Sequence, residues 1–269
     1  MDGFLRYIAT SPREGAIDYR VAKFPLMTTS AWTVAAVSFF YLTALLLLIP
    51  NWLRSHKNRL DMRPVMLIFY GFQFGIHGIG ISLFFLTMDL NTSWTCDRVN
   101  QSATDIRTMG LIYATYVFFL VKMVGLLEPV LQALTSDSCF RKDRNLLGSA
   151  ARLMLYVNLI AMAMKANPGH GFLWIAMSDM AVESVYYGYR ALTSASSEML
   201  PNPKWKTAVS LLRVAQATSL MSHGLYLSSH AHCFLPKSVA FVECVYALLV
   251  ITLETLEFVR MTVLKTHSE

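Results

Sequence analysis

Residues 116–134, which read YVFFLVKMVGLLEPVLQAL, form the stretch that decides the fold. The stretch is apolar and almost as long as the about 20 residues that a helix needs to cross a bilayer. It nevertheless contains Lys122 near its middle and Glu128 less than two helical turns later. A charge at this depth costs about 2.5–3.5 kcal/mol on insertion scales, so both side chains should face a protein interior or a polar cavity. Two interpretations stay open: a structural ion pair between helices, or the lining of a cavity.

The composition of the whole chain agrees with a membrane protein. Of the 269 residues, 55% are hydrophobic and only 15% are charged, and the mean hydropathy is +0.44. Apolar runs of about the spanning length recur along the chain, which indicates an all-α polytopic membrane protein and not a soluble domain. The net charge of +6 is typical of basic cytoplasmic loops, so we do not expect a nucleic-acid partner.

The apolar runs predict seven transmembrane helices in one membrane domain at 29–262. A polar N-terminal tail at 1–28 precedes this domain, and a short tail at 263–269 follows it. The tail at 1–28 lacks the apolar core and cleavage site of a signal peptide, so the first span should direct the chain to the membrane. The predicted spans are 29–49, 64–86, a third beginning a few residues before 116 and ending near 134, 146–164, 172–192, 207–227 and 238–259.

The distribution of basic residues predicts the orientation of the chain. The loops after the first, third and fifth spans and the C-terminal tail hold 11 Lys and Arg residues, against 8 in the other polar segments. The positive-inside rule therefore places the C-terminus in the cytosol and the N-terminus in the lumen. The glycosylation sequons at Asn91 and Asn100 then lie on the lumenal side. Cys96 and Cys233 lie on the same, oxidising side, so we expect a disulfide bond between them.

Polar residues inside the later spans are candidates for chemistry. Asp179 and Glu183 lie one turn apart on the same face of the fifth span, and we expect them opposite Lys122 or Arg213. Arg213, Gln216 and His223 form a polar stripe on the sixth span, either as contacts between helices or as the wall of a tunnel. For His77 we expect a packing role, with a hydroxyl or a carbonyl as its partner.

The order and spacing of several motifs resemble those of the very-long-chain fatty acid elongases, the ELO family. The family motif K-x-x-E-x-x-D-T-V-x-x-x-L is matched here by Lys122, Val130 and Leu134, and by Glu128 in place of the aspartate. Gly125 replaces the first acid and Pro129 the threonine. The segments 18–27, 185–192 and 205–216 resemble the family's D-x-R-x-x-x-W-P-L-M, M-Y-x-Y-Y-G-L-x-A-L and W-K-K-x-L-T-x-L-Q-x-x-Q patterns. The resemblance runs from about Asp18 to His223, which is most of the chain.

The resemblance implies a seven-helix bundle in the endoplasmic reticulum membrane that encloses an acyl tunnel. In that family the tunnel holds an acyl-CoA, which is condensed with malonyl-CoA to a 3-oxoacyl-CoA. The resemblance also implies membrane lipid and acyl-CoA as binding partners, other elongation-cycle enzymes as protein partners, and a homodimer. We expect no metal and no cofactor. The residues that we expect to line the tunnel are Lys122, Glu128, Tyr186, Tyr187, Arg213, Gln216 and His223.

The chain departs from the family at its histidines. Elongases carry H-x-x-H-H on the fourth helix. Counted back from Lys165, Pro168 and Gly169, the corresponding residues here are Ser149, Arg152 and Leu153, whereas counting forward from Glu128 gives Asn145, Gly148 and Ser149. Neither register contains a histidine, because none occurs between His77 and His170. A further family histidine on the fifth helix is Met180 here. Candidates for a substitute site are His223, Lys122, Asp179 and Glu183. Three interpretations follow: an elongase with substitute residues, a non-catalytic relative that binds acyl chains or partners, and a seven-helix receptor.

Overall fold

The computed structural model describes residues 20–27, 32–49, 62–87, 106–135, 144–166, 170–195, 203–230 and 237–266. Within these ranges the chain is helical apart from short turns. After a single 3-10 turn at Val21–Lys23, the helices are α1 (Trp32–Thr43, continued by a wider π-type turn at Ala44–Leu48), α2 (Arg63–Thr87), α3 (Ile106–Gly125), α4 (Leu127–Thr135), α5 (Arg144–Ala166), α6 (His170–Ala195), α7 (Pro203–Ser229) and α8 (Lys237–Thr266). Each predicted span coincides with one helix, or with the pair α3 and α4.

Helices α3 and α4 form one rod that is interrupted at Leu126. Pro129 lacks an amide hydrogen and its ring would collide with the carbonyl of Gly125, so a regular α-helix is disfavoured here. The chain instead makes a tighter turn in which the Leu126 amide donates to the Met123 carbonyl at 3.2 Å. The break places Glu128 in the first turn of α4, where the helix dipole stabilises a carboxylate.

Three helical segments are long and apolar enough to cross a membrane: Arg63–Leu86 in α2, Thr108–Leu134 across α3 and α4, and Lys237–Val259 in α8. A shorter apolar helix covers Ala36–Leu48. Helices α5, α6 and α7 have spanning length, but charged residues such as Arg152, Asp179 and Arg213 lower their hydropathy. The seven-span arrangement therefore stays a prediction.

Two helix pairs, α2 with α6 and α7 with α8, make the most extensive contacts in the bundle. Helix α5 lies beside α3 and α8 and is the most enclosed, with Tyr156, Leu159 and Ile160 almost completely buried. Around it, buried side chains of α3, α5, α6, α7 and α8 form the largest apolar core cluster. The functional groups described below lie at the level of this core.

The end of the N-terminal tail packs against the bundle. Val21 and Met27 are fully buried, and the Phe24 ring stacks on Tyr116 of α3 with ring centroids 4.3 Å apart. The Tyr116 hydroxyl also donates to the Pro25 carbonyl at 3.4 Å. The residues that resemble the family's tail motif therefore anchor this segment to α3.

Candidate functional site

Charged side chains of α3, α6 and α7 point into the bundle and pair with one another. Lys122 of α3 forms an ion pair with Asp179 of α6, and Arg213 of α7 lies 3.6 Å from Glu183 of α6. The expectation that Asp179 and Glu183 stand opposite Lys122 and Arg213 is therefore confirmed. Pairing removes most of the cost of placing these charges inside a membrane protein.

Lys122 has a second partner, which the sequence did not identify. Its ammonium lies 3.2 Å from Nε2 of His77 on α2. The other ring nitrogen, Nδ1, lies 2.7 Å from the Gln73 carbonyl, which only accepts hydrogen bonds. Nδ1 therefore carries the proton, and Nε2 presents its lone pair to Lys122. The carbonyl partner expected for His77 is confirmed, and the histidine is neutral in this arrangement.

Aromatic rings enclose this Lys122–Asp179–His77 group. The Lys122 ammonium lies 5.4 Å from the Phe118 ring centroid and 5.6 Å from that of Tyr156, within the range of cation–π attraction. Lys122 is 3% exposed and Asp179 2%. The group is therefore a desolvated polar centre held by three helices.

A second group of charges joins α5, α6, α7 and α8. Arg152 Nη1 and Arg213 Nη1 both lie 3.6 Å from the same oxygen of Glu254, Oε1, and the Ser210 hydroxyl donates to the other oxygen at 2.6 Å. The Arg213 guanidinium also lies 4.0 Å above the Tyr186 ring. We call Arg152, Glu254, Arg213 and Glu183 the charge ladder, because each member contacts the next one.

Glu128 is buried next to the charge ladder and accepts three hydrogen bonds. The Tyr186 hydroxyl donates to its Oε1 at 2.5 Å and the Tyr187 hydroxyl to its Oε2 at 3.2 Å. The Gln132 amide donates to Oε1 at 2.8 Å. Nearby, Arg190 donates to the Tyr70 hydroxyl at 2.7 Å. Hydroxyl and amide donors thus solvate the Glu128 carboxylate in place of water.

The cations and anions of these contacts balance. The cations are Lys122, Arg152, Arg190 and Arg213, and the anions are Glu128, Asp179, Glu183 and Glu254. With His77 neutral, the formal charges of these side chains sum to zero. Their arrangement has the properties expected of a structural network that ties the helices together.

In the register counted back from Lys165, the positions of the family histidines are occupied by this network or by packing. Arg152 belongs to the charge ladder, Leu153 is buried in the apolar core, and Ser149 is half-buried. Met180 lies against α2, where a Cβ on Gly80 would meet the methionine sulfur at 2.8 Å. The side chains at these four positions offer no imidazole and no equivalent base.

The four candidates for a substitute site do not form a single cluster. Lys122 and Asp179 are in contact, whereas Glu183 pairs with Arg213 one turn further along α6. His223 instead donates from Nδ1 to Glu243 of α8 at 2.9 Å. Gln216 of α7 lies next to Asp179. His223 is seven residues further along the same helix, which corresponds to a rise of about 10 Å.

Sequence reasoning missed the partners Glu243 and Glu254. Both are carboxylates in a mostly apolar span, which is a signal of an interior role. They are eleven residues apart and lie on the same face, towards α7. This pattern predicts a polar contact without naming the partner.

Other predicted features lie outside the described residues. These are the sequons at Asn91 and Asn100 and the cysteines Cys96 and Cys233. Cys244, inside α8, is a free thiol 3.9 Å from the Met221 carbonyl.

Comparison with known proteins identifies one matching protein family. No curated protein matches the chain. The family model described as the GNS1/SUR4 family, ELO, matches residues 26–267 and so covers nearly all of the helical domain. The chain is therefore a membrane protein of the fatty acid elongation type, and it belongs to the GNS1/SUR4 (ELO) family.

Proposed function

We propose that the protein is a non-condensing member of its family, which holds a long-chain acyl group in the membrane without extending it. The proposal rests on the position and the pairing of Arg152. In the register counted back from Lys165, Pro168 and Gly169, it stands where the family has a histidine, and it is paired with Glu254 in the charge ladder. Family membership supports a role in fatty acid elongation, and the loss of the histidines argues against the condensation itself.

The chemistry of the reaction explains why this substitution matters. A Claisen-type condensation on a CoA thioester needs an acyl acceptor or a base, and a donor for the developing oxyanion. Imidazole serves at neutral pH because its unperturbed pKa is about 6.5. The guanidinium of Arg152 stays protonated and cannot be a base or a nucleophile. Leu153 and Met180 have no group that transfers protons.

We propose that the acyl ligand binds in the interior of the helix bundle. The polar wall consists of Lys122, Glu128, Tyr186, Tyr187, Arg213, Gln216 and His223, and seven spans enclose it. The ligands are acyl-CoA or another acyl lipid, and the partners are membrane lipid, other elongation-cycle enzymes and a second copy of the chain. We place the protein in the endoplasmic reticulum membrane, with its N-terminus in the lumen and its C-terminus in the cytosol.

One observation favours a second candidate, a condensing enzyme with a relocated site. His77, Lys122 and Asp179 converge, and His77 Nε2 presents a lone pair inside the bundle. In this alternative the His77 imidazole is the base and Lys122 stabilises the developing oxyanion. A Lys122→Met variant would then lose the activity. Family membership leaves the receptor interpretation without support.

The two candidates differ in what purified protein does with acyl-CoA and labelled malonyl-CoA. We expect a photoreactive acyl-CoA to label the protein, with competition by unlabelled acyl-CoA, and no 3-oxoacyl product above background. Labelling without competition would refute the acyl-binding part of the proposal. Product formation that disappears in Lys122→Met would establish the second candidate.

A further inference from the structure

The end of the N-terminal tail, residues 20–27, covers the apolar core beside the first half of α3. Val21 and Met27 are fully buried, and they belong to the same core cluster as Phe118 and Tyr156. The 3-10 turn at Val21–Lys23 also contacts α5. We call residues 20–27 the strap. Because its buried side chains are part of the core, the core on this side is complete only when the strap is docked.

Phe24 attaches the strap to α3 through its ring. The ring stacks on Tyr116 with centroids 4.3 Å apart and lies edge-on to Tyr113 at 5.3 Å. Two backbone hydrogen bonds lie within the strap, from the Phe24 amide to the Val21 carbonyl and from the Met27 amide to the Phe24 carbonyl. These bonds fix the shape of the strap but do not tie it to the helices. The strap can therefore leave the core without breaking a helix.

The turn at the end of the strap contains a strained residue. The Met27 amide donates to the Phe24 carbonyl at 3.1 Å, which makes residues 24–27 a β-turn with Pro25 and Leu26 at its centre. Leu26 has a φ of 65°, and no other non-glycine residue in the described ranges has a positive φ. Glycine is the usual residue at this position of a type II turn, because a side chain is crowded there. This strain opposes docking of the strap.

The strap packs onto the core that surrounds the proposed acyl site. Phe118 and Tyr156, which share the core cluster with Met27, flank the Lys122 ammonium at 5.4 and 5.6 Å. Tyr116, which contacts Phe24, is six residues before Lys122, a helical rise of about 9 Å. The side chains of the docked strap thus occupy core volume close to the polar wall of that site.

We propose that the strap is a releasable closure of the bundle interior, which competes with a bound acyl chain for the core beside α3. In the docked state Val21, Phe24 and Met27 fill this part of the core. In the released state the acyl chain takes their place, and the strain at Leu26 is relieved. The inference rests on the proposed acyl binding and adds how access to that site is controlled.

The variant Val21→Cys measures release, because a thiol at a fully buried position reacts only while the strap is out of the core. Its reaction with a maleimide is followed by mass spectrometry on the purified protein in nanodiscs. In this background Phe24→Ala removes the stack on Tyr116, and Phe39→Ala, at an exposed ring of α1, is the matched control. Leu26→Gly and Leu26→Ala form a second matched pair, since both remove the side chain and only glycine relieves the positive φ.

We expect Phe24→Ala to raise the reaction rate of residue 21 about tenfold and Phe39→Ala to leave it unchanged. Leu26→Gly should react about fivefold more slowly than Leu26→Ala, because glycine adopts this φ without a steric cost and so favours the docked strap. Palmitoyl-CoA at about ten times its dissociation constant should raise the rate about tenfold, since it binds only when the strap is released.

Two results would overturn the inference. Equal rates at residue 21 in all variants, whether fast or slow, would show that the strap does not exchange between docked and released states. A rate that palmitoyl-CoA leaves unchanged, although photoreactive acyl-CoA labels the same preparation, would show that strap and acyl chain do not compete. If photoreactive acyl-CoA does not label the protein, the proposed function fails, and the two matched pairs still decide whether the strap is releasable.

Discussion

The charge ladder predicts a large and specific effect of Glu254→Gln on stability. Glu254 Oε1 lies 3.6 Å from both Arg152 and Arg213, and the Glu254 and Arg213 side chains are 10% and 12% exposed. At an effective dielectric constant of about 20, each contact is worth about 4–5 kcal/mol of attraction. Removing the carboxylate leaves buried positive charge without its counter-charge, and breaking a buried pair in this way costs about 3–5 kcal/mol.

The effect is measured by thermal unfolding of the purified protein in detergent. Each kcal/mol lowers the midpoint by about 2–4 °C in proteins of 150–250 residues, so Glu254→Gln should lower it by about 6–20 °C. A second variant tests whether charge imbalance is the cause. In Arg152→Gln with Glu254→Gln, Arg213 keeps Glu183 as its partner and the group is neutral again. This double variant should recover more than half of the loss.

Two results would refute this reasoning. A midpoint for Glu254→Gln within about 2 °C of the unaltered protein would mean that the carboxylate is not important for stability. Equal losses in the single and double variants would mean that the local shape, and not the balance of charge, determines the effect.

Three further predictions concern the remaining features. Gly224→Ala should destabilise the protein by about 1–3 kcal/mol, because the new methyl group would meet a backbone carbonyl of α8, and thermal unfolding measures this loss. Asn91 or Asn100 should carry a glycan that endoglycosidase removes. Modification only at sequons introduced into the basic loops would show that the predicted topology is inverted. Cys96 and Cys233 should resist thiol labelling until a reductant is added, and labelling of both without reductant would exclude the disulfide.

The positions of the helices follow from the sequence, because an apolar run of spanning length has few alternatives to a helix. Pro129 also explains the break at Leu126, which the prediction of an unbroken third span does not include. The pairing of Asp179 and Glu183 with Lys122 and Arg213 was predictable because an unpaired charge inside the bundle is too costly.

The remaining contacts depend on which helices are neighbours, and local periodicity does not contain that information. His77 was expected to bind a carbonyl and does so, but its contact with Lys122 requires α2 to lie beside α3. Arg152 was identified as a substituted histidine position, and its partner Glu254 lies 102 residues further along the chain. Several acids were available to Arg152, and tertiary packing selects one of them.

In the proposed non-condensing protein, the charge ladder and packing have replaced the condensing centre. The most direct test of this replacement is incorporation of labelled malonyl-CoA into 3-oxoacyl-CoA by the purified protein, beside a family member that has the H-x-x-H-H motif. Each general acid–base group contributes about 100- to 10,000-fold to a rate, so loss of the histidines should leave incorporation at background. Robust incorporation that is abolished by His223→Ala or by Lys122→Met would contradict the proposal, and the sensitive residue would locate the relocated site.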